Sequence, residues 1–333
     1  MKLLNKLRAC GEICEVKFFK KRVPIATTWS ITNDCNYQCK YCGRWRIKTN
    51  EISTEGAMMM IGRLARSGCV RIVFGGGEPL LRKDIGGLID FCKKSGISVS
   101  LISNGYFIAD KIDEIRNVDL LELSIDGIGE ICDLLRGDGA YEKILKAIKL
   151  VRERKIKTIL NMVLTKYNLI HVDLIIEFAI KHNLGVMFSP VSYIHFAGKD
   201  TDSLLPDKLE FKNIVNRLMR GKKDGEPIIN SISALKYMND WPHYKKIPCY
   251  SGRAFCHISS EGDFYPCAAL EGKVAAVRHD SFLNRNIEDT LKVVSDGINY
   301  CEGCWCTGTL EFNRLLSLKP TAFFTFINLI KTS

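Results

Sequence analysis

The sequence predicts an α/β fold: a partial (β/α)6 TIM-like barrel followed by a small, loop-rich C-terminal cysteine domain. Three observations predict it. Between about residues 25 and 190, six β-branched runs alternate with amphipathic ones, the rhythm of parallel strands joined by right-handed crossovers. Six units fall two short of a closed eight-fold barrel, so the barrel stays open. From residue 249 onward, six of the 14 cysteines gather among Gly, Pro and aromatic residues, which suits a region held by metal.

Taken in order, residues 1–22 form a basic segment, seven Lys/Arg against two Glu, with Leu3, Leu4 and Leu7 as a short apolar stripe. The barrel is expected over residues 23–200. Ile25–Thr32 reads as a strand and Thr54–Arg66 as a helix. Val70–Phe74 and Asp84–Lys94 follow as strand and helix, then Ile97–Ser103 and Ile108–Arg116. Leu120–Ile125 is the fourth strand. In Tyr141–Arg154, Ile144, Leu145, Ile148 and Val151 recur at helical spacing. Thr158–Leu164, Ile170–Lys181 and Val186–Ser189 complete the series. Residues 201–248 read as a helix and linker, and 249–310 as the cysteine domain. Residues 311–333 form an amphipathic segment with Phe323, Phe326, Ile327 and Ile330 on one face. Such basic and apolar termini either dock on their own domain or rest on a membrane surface, so peripheral membrane contact stays open.

Hydrophobic residues make up 46% and charged residues 26%, the balance of a folded chain. There is no run of 18 apolar residues to span a membrane, and the N-terminus lacks the apolar core of a secretory signal. A cytoplasmic setting is expected, where clustered cysteines serve as metal or iron–sulfur ligands and not as disulfides. The net charge is +11, yet no aromatic-interleaved platform for RNA is present, so no nucleic-acid partner is expected.

Cys35, Cys39 and Cys42 follow the first strand directly. Three thiolates can hold three irons of a cubane and leave the fourth iron open. A zinc knuckle would want a nearby fourth ligand, but no fourth cysteine is close and no His precedes His171. After the second strand comes Gly75-Gly76-Gly77-Glu78-Pro79, a turn that lets backbone carbonyls and Glu78 approach an ammonium group. Met58-Met59-Met60 reads as helix packing. Tyr193 and His195 follow the sixth strand, where a solvated loop is the plainer reading.

With Tyr41 before Cys42, the string Cys35-x3-Cys39-x-Tyr41-Cys42 resembles the hallmark of the radical S-adenosylmethionine (SAM) enzymes, and the resemblance covers about residues 25–190. It implies a 4Fe–4S cluster on Cys35, Cys39 and Cys42 whose open iron chelates SAM. Reductive cleavage then gives a 5′-deoxyadenosyl radical that abstracts hydrogen from substrate. It further implies SAM contacts from Tyr41, Gly76, Gly77 and Glu78. Asn104, in Ser103-Asn104-Gly105, and Ser124 and Asp126, in Ser124-Ile125-Asp126-Gly127, resemble segments facing the SAM carboxylate or ribose; turn chemistry is the alternative. Asn161 is a further candidate.

The later cysteines resemble the family's SPASM or Twitch extension. Cys249 and Cys267 stand 18 positions apart around a turn at Gly262, and Cys301-x2-Cys304 completes four ligands for a second 4Fe–4S cluster. Cys256 or Cys306 could replace one of them, Trp305 could flank the cluster, and a structural zinc is the alternative. The implied function is hydrogen abstraction from a peptide or protein, with a flavodoxin or ferredoxin as electron donor. A lipid or other small-molecule substrate at the membrane surface is the second reading. A non-catalytic zinc or iron–sulfur protein is the third.

Overall fold

The computed structural model describes residues 3–191, 199–243, 246–301, 303–304 and 306–317. Tyr193, His195, Trp305 and the apolar face at Phe323–Ile330 lie outside the described residues.

The chain opens with α1 (Leu3–Phe18), β1 (Ala26–Thr32) and α2 (Thr54–Arg66). Next come β2 (Arg71–Gly76), α3 (Ile85–Lys94), β3 (Ser98–Ser103) and the single turn α4 (Ile108–Lys111). Then follow β4 (Leu120–Ser124), α5 (Glu130–Arg136), α6 (Ala140–Glu153), β5 (Thr158–Leu164), α7 (Val172–His182) and β6 (Gly185–Pro190). The C-terminal part contains α8 (Lys208–Lys223), α9 (Ile232–Met238), β7 (Phe255–Ile258) and β8 (Phe264–Tyr265). It ends in α10 (His279–Asn284), α11 (Ile287–Ser295) and α12 (Thr307–Leu316).

All eight strands form one sheet in the order β6-β5-β4-β3-β2-β1-β7-β8. Strands β1 to β6 pair in parallel, and β6 and β8 are the two ends of the sheet, so six β/α units make a partial barrel. The cysteine region is hydrogen-bonded into this sheet, with β7 parallel to β1 and Thr28 beside His257. β8 returns antiparallel to β7 through a turn in which Gly262 takes φ +88°.

Alternation along the strands separates two faces. Trp29, Ile31, Phe74, Leu101, Leu123 and Leu160 are buried under the helices. Arg71, Val73, Glu122, Ser124, Asn161 and Ser189 alternate with such residues and stand half-buried on the inner face. The helices show the matching pattern. Ser53 caps α2 by accepting from Gly56 N–H, and Ala57, Met60, Ile61 and Leu64 form its buried stripe. Of the three adjacent methionines, Met60 fills the core while Met59 is exposed. The basic N-terminal segment is helical, and its Val16 packs with Val23, Ile25, Val70, Ala254 and Leu316.

Candidate active site and cysteine clusters

The C-terminal ends of β1 and β2 are stitched together by backbone. Gly77 N–H donates to Thr32 O and Glu78 N–H to Asp34 O, each at 2.8 Å. A Cβ on Gly76 would run into Thr32 O, and one on Gly77 into Asp34 O; Gly76 also takes φ +114°. These two glycines are therefore required by the close approach of the cysteine loop. Within that loop Cys42 N–H donates to Cys39 O, and Lys40 N–H reaches Leu135 O on α5, both at 2.9 Å.

Glu78 is fully buried. Its carboxylate accepts from Ser103 Oγ at 2.9 Å, Asn104 N–H at 2.8 Å and Leu80 N–H at 3.1 Å. Burial outweighs these donors and pushes its pKa up to about 7. The side chain thus ties the end of β2 to the end of β3. Asn104 in turn donates to Asn36 Oδ1 at 2.9 Å, and its Nδ2 stands 3.9 Å from Cys35 Sγ.

Asp126 is also fully buried and is held from three sides. Tyr41 Oη donates to it at 2.5 Å, Arg136 Nε pairs with it at 2.7 Å, and Val163 N–H donates at 2.9 Å. Arg136 donates to Tyr41 Oη as well, at 2.8 Å. This charge pair sits against Cys39: Arg136 pulls the thiol pKa down, but burial dominates and lifts it to about 12. Burial also raises Cys35, and Cys35, Cys39 and Cys42 are electrostatic neighbours. Ser124 lies half-buried on the inner face beside Asn161, which bonds Glu122 at 2.8 Å and accepts from Ser189 Oγ at 3.1 Å.

A second convergence joins Cys249, Cys267, Cys301, Cys304 and Cys306. Burial pushes the Cys267 thiol up to about 12 and that of Cys304 well above its usual range. Cys256 does not join them. It is buried on the outer face of β7 against Thr27, because strand alternation turns it away from the turn that carries Cys267. Among the described residues no two cysteines form a disulfide. Among the described residues, no group of His, Cys, Asp or Glu closes tightly enough to grip one metal ion. A cubane spreads its ligands over separate irons, one thiolate each, so both thiol sets fit a cluster.

Three features escaped the sequence reading. Arg136 ends a seven-residue helix between glycines, and its only sequence signal is a cation after the apolar pair Leu134-Leu135. Asn313 lies on the buried face of α12, where an asparagine is unusual. Arg44, two residues after Cys42, pairs with buried Glu271 at 2.7 Å, and Glu271 meets His257 Nε2 at 2.9 Å. That carboxylate, held well down at about 2 by His257 and Arg44, joins the first cysteine loop to the segment after Cys267.

Thiols presented at the C-terminal rim of an open parallel barrel, against a glycine turn, have the chemistry of an iron–sulfur site. Residues 29–179, somewhat under half of the chain, match the model of the radical SAM superfamily, so this stretch carries a radical SAM domain. That domain implies a 4Fe–4S cluster and SAM as cofactors, and a cysteine-rich C-terminal region follows it. The AdoMet-dependent heme synthase of Methanosarcina barkeri is 25% identical over 78% of this chain and 81% of its own length. The PqqA peptide cyclase of Bradyrhizobium diazoefficiens is 26% identical over 75% of this chain and 68% of its own. Streptococcus suis SuiB, solved bound to S-adenosylmethionine, has a TM-score of 0.68 over 94% of this chain and 79% of that one; at 16% identity this is a likeness of fold. Among the described residues no helix is long and apolar enough to cross a membrane.

Proposed function

We propose that this enzyme modifies a peptide or protein, with Cys35, Cys39 and Cys42 holding the SAM-binding cluster. Cys249, Cys267, Cys301 and Cys304 hold an auxiliary cluster in this reading. The observation that carries it is the meeting of three thiols with the Gly76–Glu78 turn at the rim of the inner face. When bound, the cluster and SAM supply a 5′-deoxyadenosyl radical that takes a hydrogen atom from substrate. The protein does the rest. Gly76 and Gly77 seat the cysteine loop, Glu78 fixes the neighbouring strand ends, and Arg136 with Asp126 and Tyr41 locks the Cys39 side. Gly76, Gly77 and Asn104 line the SAM side, and Ser124 faces the space where SAM and substrate meet. Glu122, Asn161 and Ser189 offer polar contacts to substrate on the inner face. An acidic flavodoxin or ferredoxin in the cytoplasm suits a chain of net charge +11. Peripheral membrane contact through the basic termini belongs to the same proposal.

A peptide substrate is favoured by relatives such as the PqqA peptide cyclase and the sporulation killing factor maturation protein SkfB of Bacillus subtilis. The heme synthase relative supports a second reading, a haem precursor as substrate. The test is anaerobic reconstitution with dithionite and SAM. Wild type should release 5′-deoxyadenosine, and Cys39→Ala should release none; equal rates would refute the cluster assignment. Adding short peptides encoded beside the gene, or haem precursors, separates the two substrates by which one changes mass.

A further inference from the structure

Asn313 touches two of the sulfurs assigned above. It lies on α12, 1% exposed, and its Nδ2 stands 3.9 Å from both Cys249 Sγ and Cys304 Sγ. Its orientation is fixed by chemistry: Tyr250 N–H donates to Oδ1 at 2.8 Å, so the NH2 end must face the sulfurs. The backbone supports the same arrangement, since Cys304 N–H donates to Tyr237 Oη at 2.9 Å and Cys306 begins α12 as its N-cap. The first cysteine site lacks a counterpart, because Asn104 contacts one sulfur and spends its best hydrogen bond on Asn36.

We infer that Asn313 sets the reduction potential of the auxiliary cluster by donating both amide hydrogens to ligand sulfurs. The inference rests on the ligand assignment of the preceding section. Adding an electron to a thiolate-bound cluster increases the negative charge on its sulfurs. A buried donor aimed at two of them stabilises the reduced form more than the oxidised one. The potential is raised accordingly, and the cluster becomes a readier acceptor of an electron from a substrate radical.

The test uses the full chain carrying Cys35, Cys39 and Cys42→Ala, which leaves one cluster to titrate. It should bind about four irons. Asn313→Asp keeps the acceptor for Tyr250 N–H but replaces the donor with negative charge. Asn313→Leu removes both polar ends at similar volume. Both should keep their iron and show a more negative midpoint in spectroelectrochemical titration, with Asp shifted further. Two unchanged midpoints would overturn the inference and leave the ligand assignment standing. Loss of iron from both variants, in an otherwise folded protein, would also overturn it, by making Asn313 an anchor of the cysteines. A parent variant without iron would bring down the ligand assignment and the inference together.

Discussion

The two thiol sites are built by opposite strategies. The first draws its sulfurs from Cys35–Cys42, 4 and 3 positions apart, on a loop clamped by backbone hydrogen bonds to Thr32 and Asp34. The second draws them from Cys249, Cys267, Cys301 and Cys304, with gaps of 18 and 34 positions before the final pair. Its segments meet through side chains, namely Asn313, the Tyr237 hydroxyl, and Ser251 donating to Pro266 O, beside local backbone hydrogen bonds at Cys267, Cys301 and Cys306. Closing the two longer loops costs about 3 kcal/mol more chain entropy than closing the shorter ones. The first site is shaped by the barrel whether or not a cluster binds. In the proposed reading, a cluster at the second would hold distant segments together.

The sharpest way to break that contrast is to empty each site in turn. Removing Cys35, Cys39 and Cys42 should leave the barrel folded with about four irons bound. Adding Cys267→Ala should release them and make residues 249–306 sensitive to limited proteolysis. Resistance in that variant would mean the extension orders itself. Next in size, Gly77→Ala should destabilise the barrel by about 3 kcal/mol in denaturant titration, since the added Cβ meets the Asp34 backbone, which cannot move aside. A neutral result would deny that backbone packing shapes the first site.

Glu78→Ala strands the donors of Ser103, Asn104 and Leu80, and should destabilise the fold by roughly 1.5–3 kcal/mol in denaturant titration. The smallest effect is expected at Glu122, away from both thiol sites. Burial raises its carboxyl to about 7 despite the Asn161 amide and the Arg71 charge, with Asp119 beyond Arg71. A folded pKa above the unfolded 4.5 means that stability falls as pH rises from about 4.5 to 7. Glu122→Gln should flatten that slope by about 1–2 kcal/mol, allowing for water at the half-buried group. Thermal melts across this window would show it.

What the sequence disclosed follows the same division. Thr54–Arg66 and Thr158–Leu164 are the helix and strand that local periodicity marks out, because one face of each meets a core. The first thiol site was legible because its parts are adjacent in the chain. The contact of Arg136 with Asp126 and Tyr41 was not, since it joins the ends of three separate elements. Nor was the place of Phe255–Ile258 beside β1: four residues carry too little pattern to reveal a partner more than two hundred positions away. The N-terminal segment read as a basic tail because its helix is stabilised by docking Val16, not by a strong apolar stripe.

The pairing of β7 with β1 also governs how the protein is made. Residue 26 leaves the ribosome long before its partner, Phe255, is translated. At ordinary elongation rates the wait is about 10–45 s. Throughout that interval β1 offers an unpaired edge beside the nascent cysteine loop, open to other strands and to stray metal. Completion of the sheet is thus one of the last steps of synthesis, since β7 falls in the final quarter of the chain.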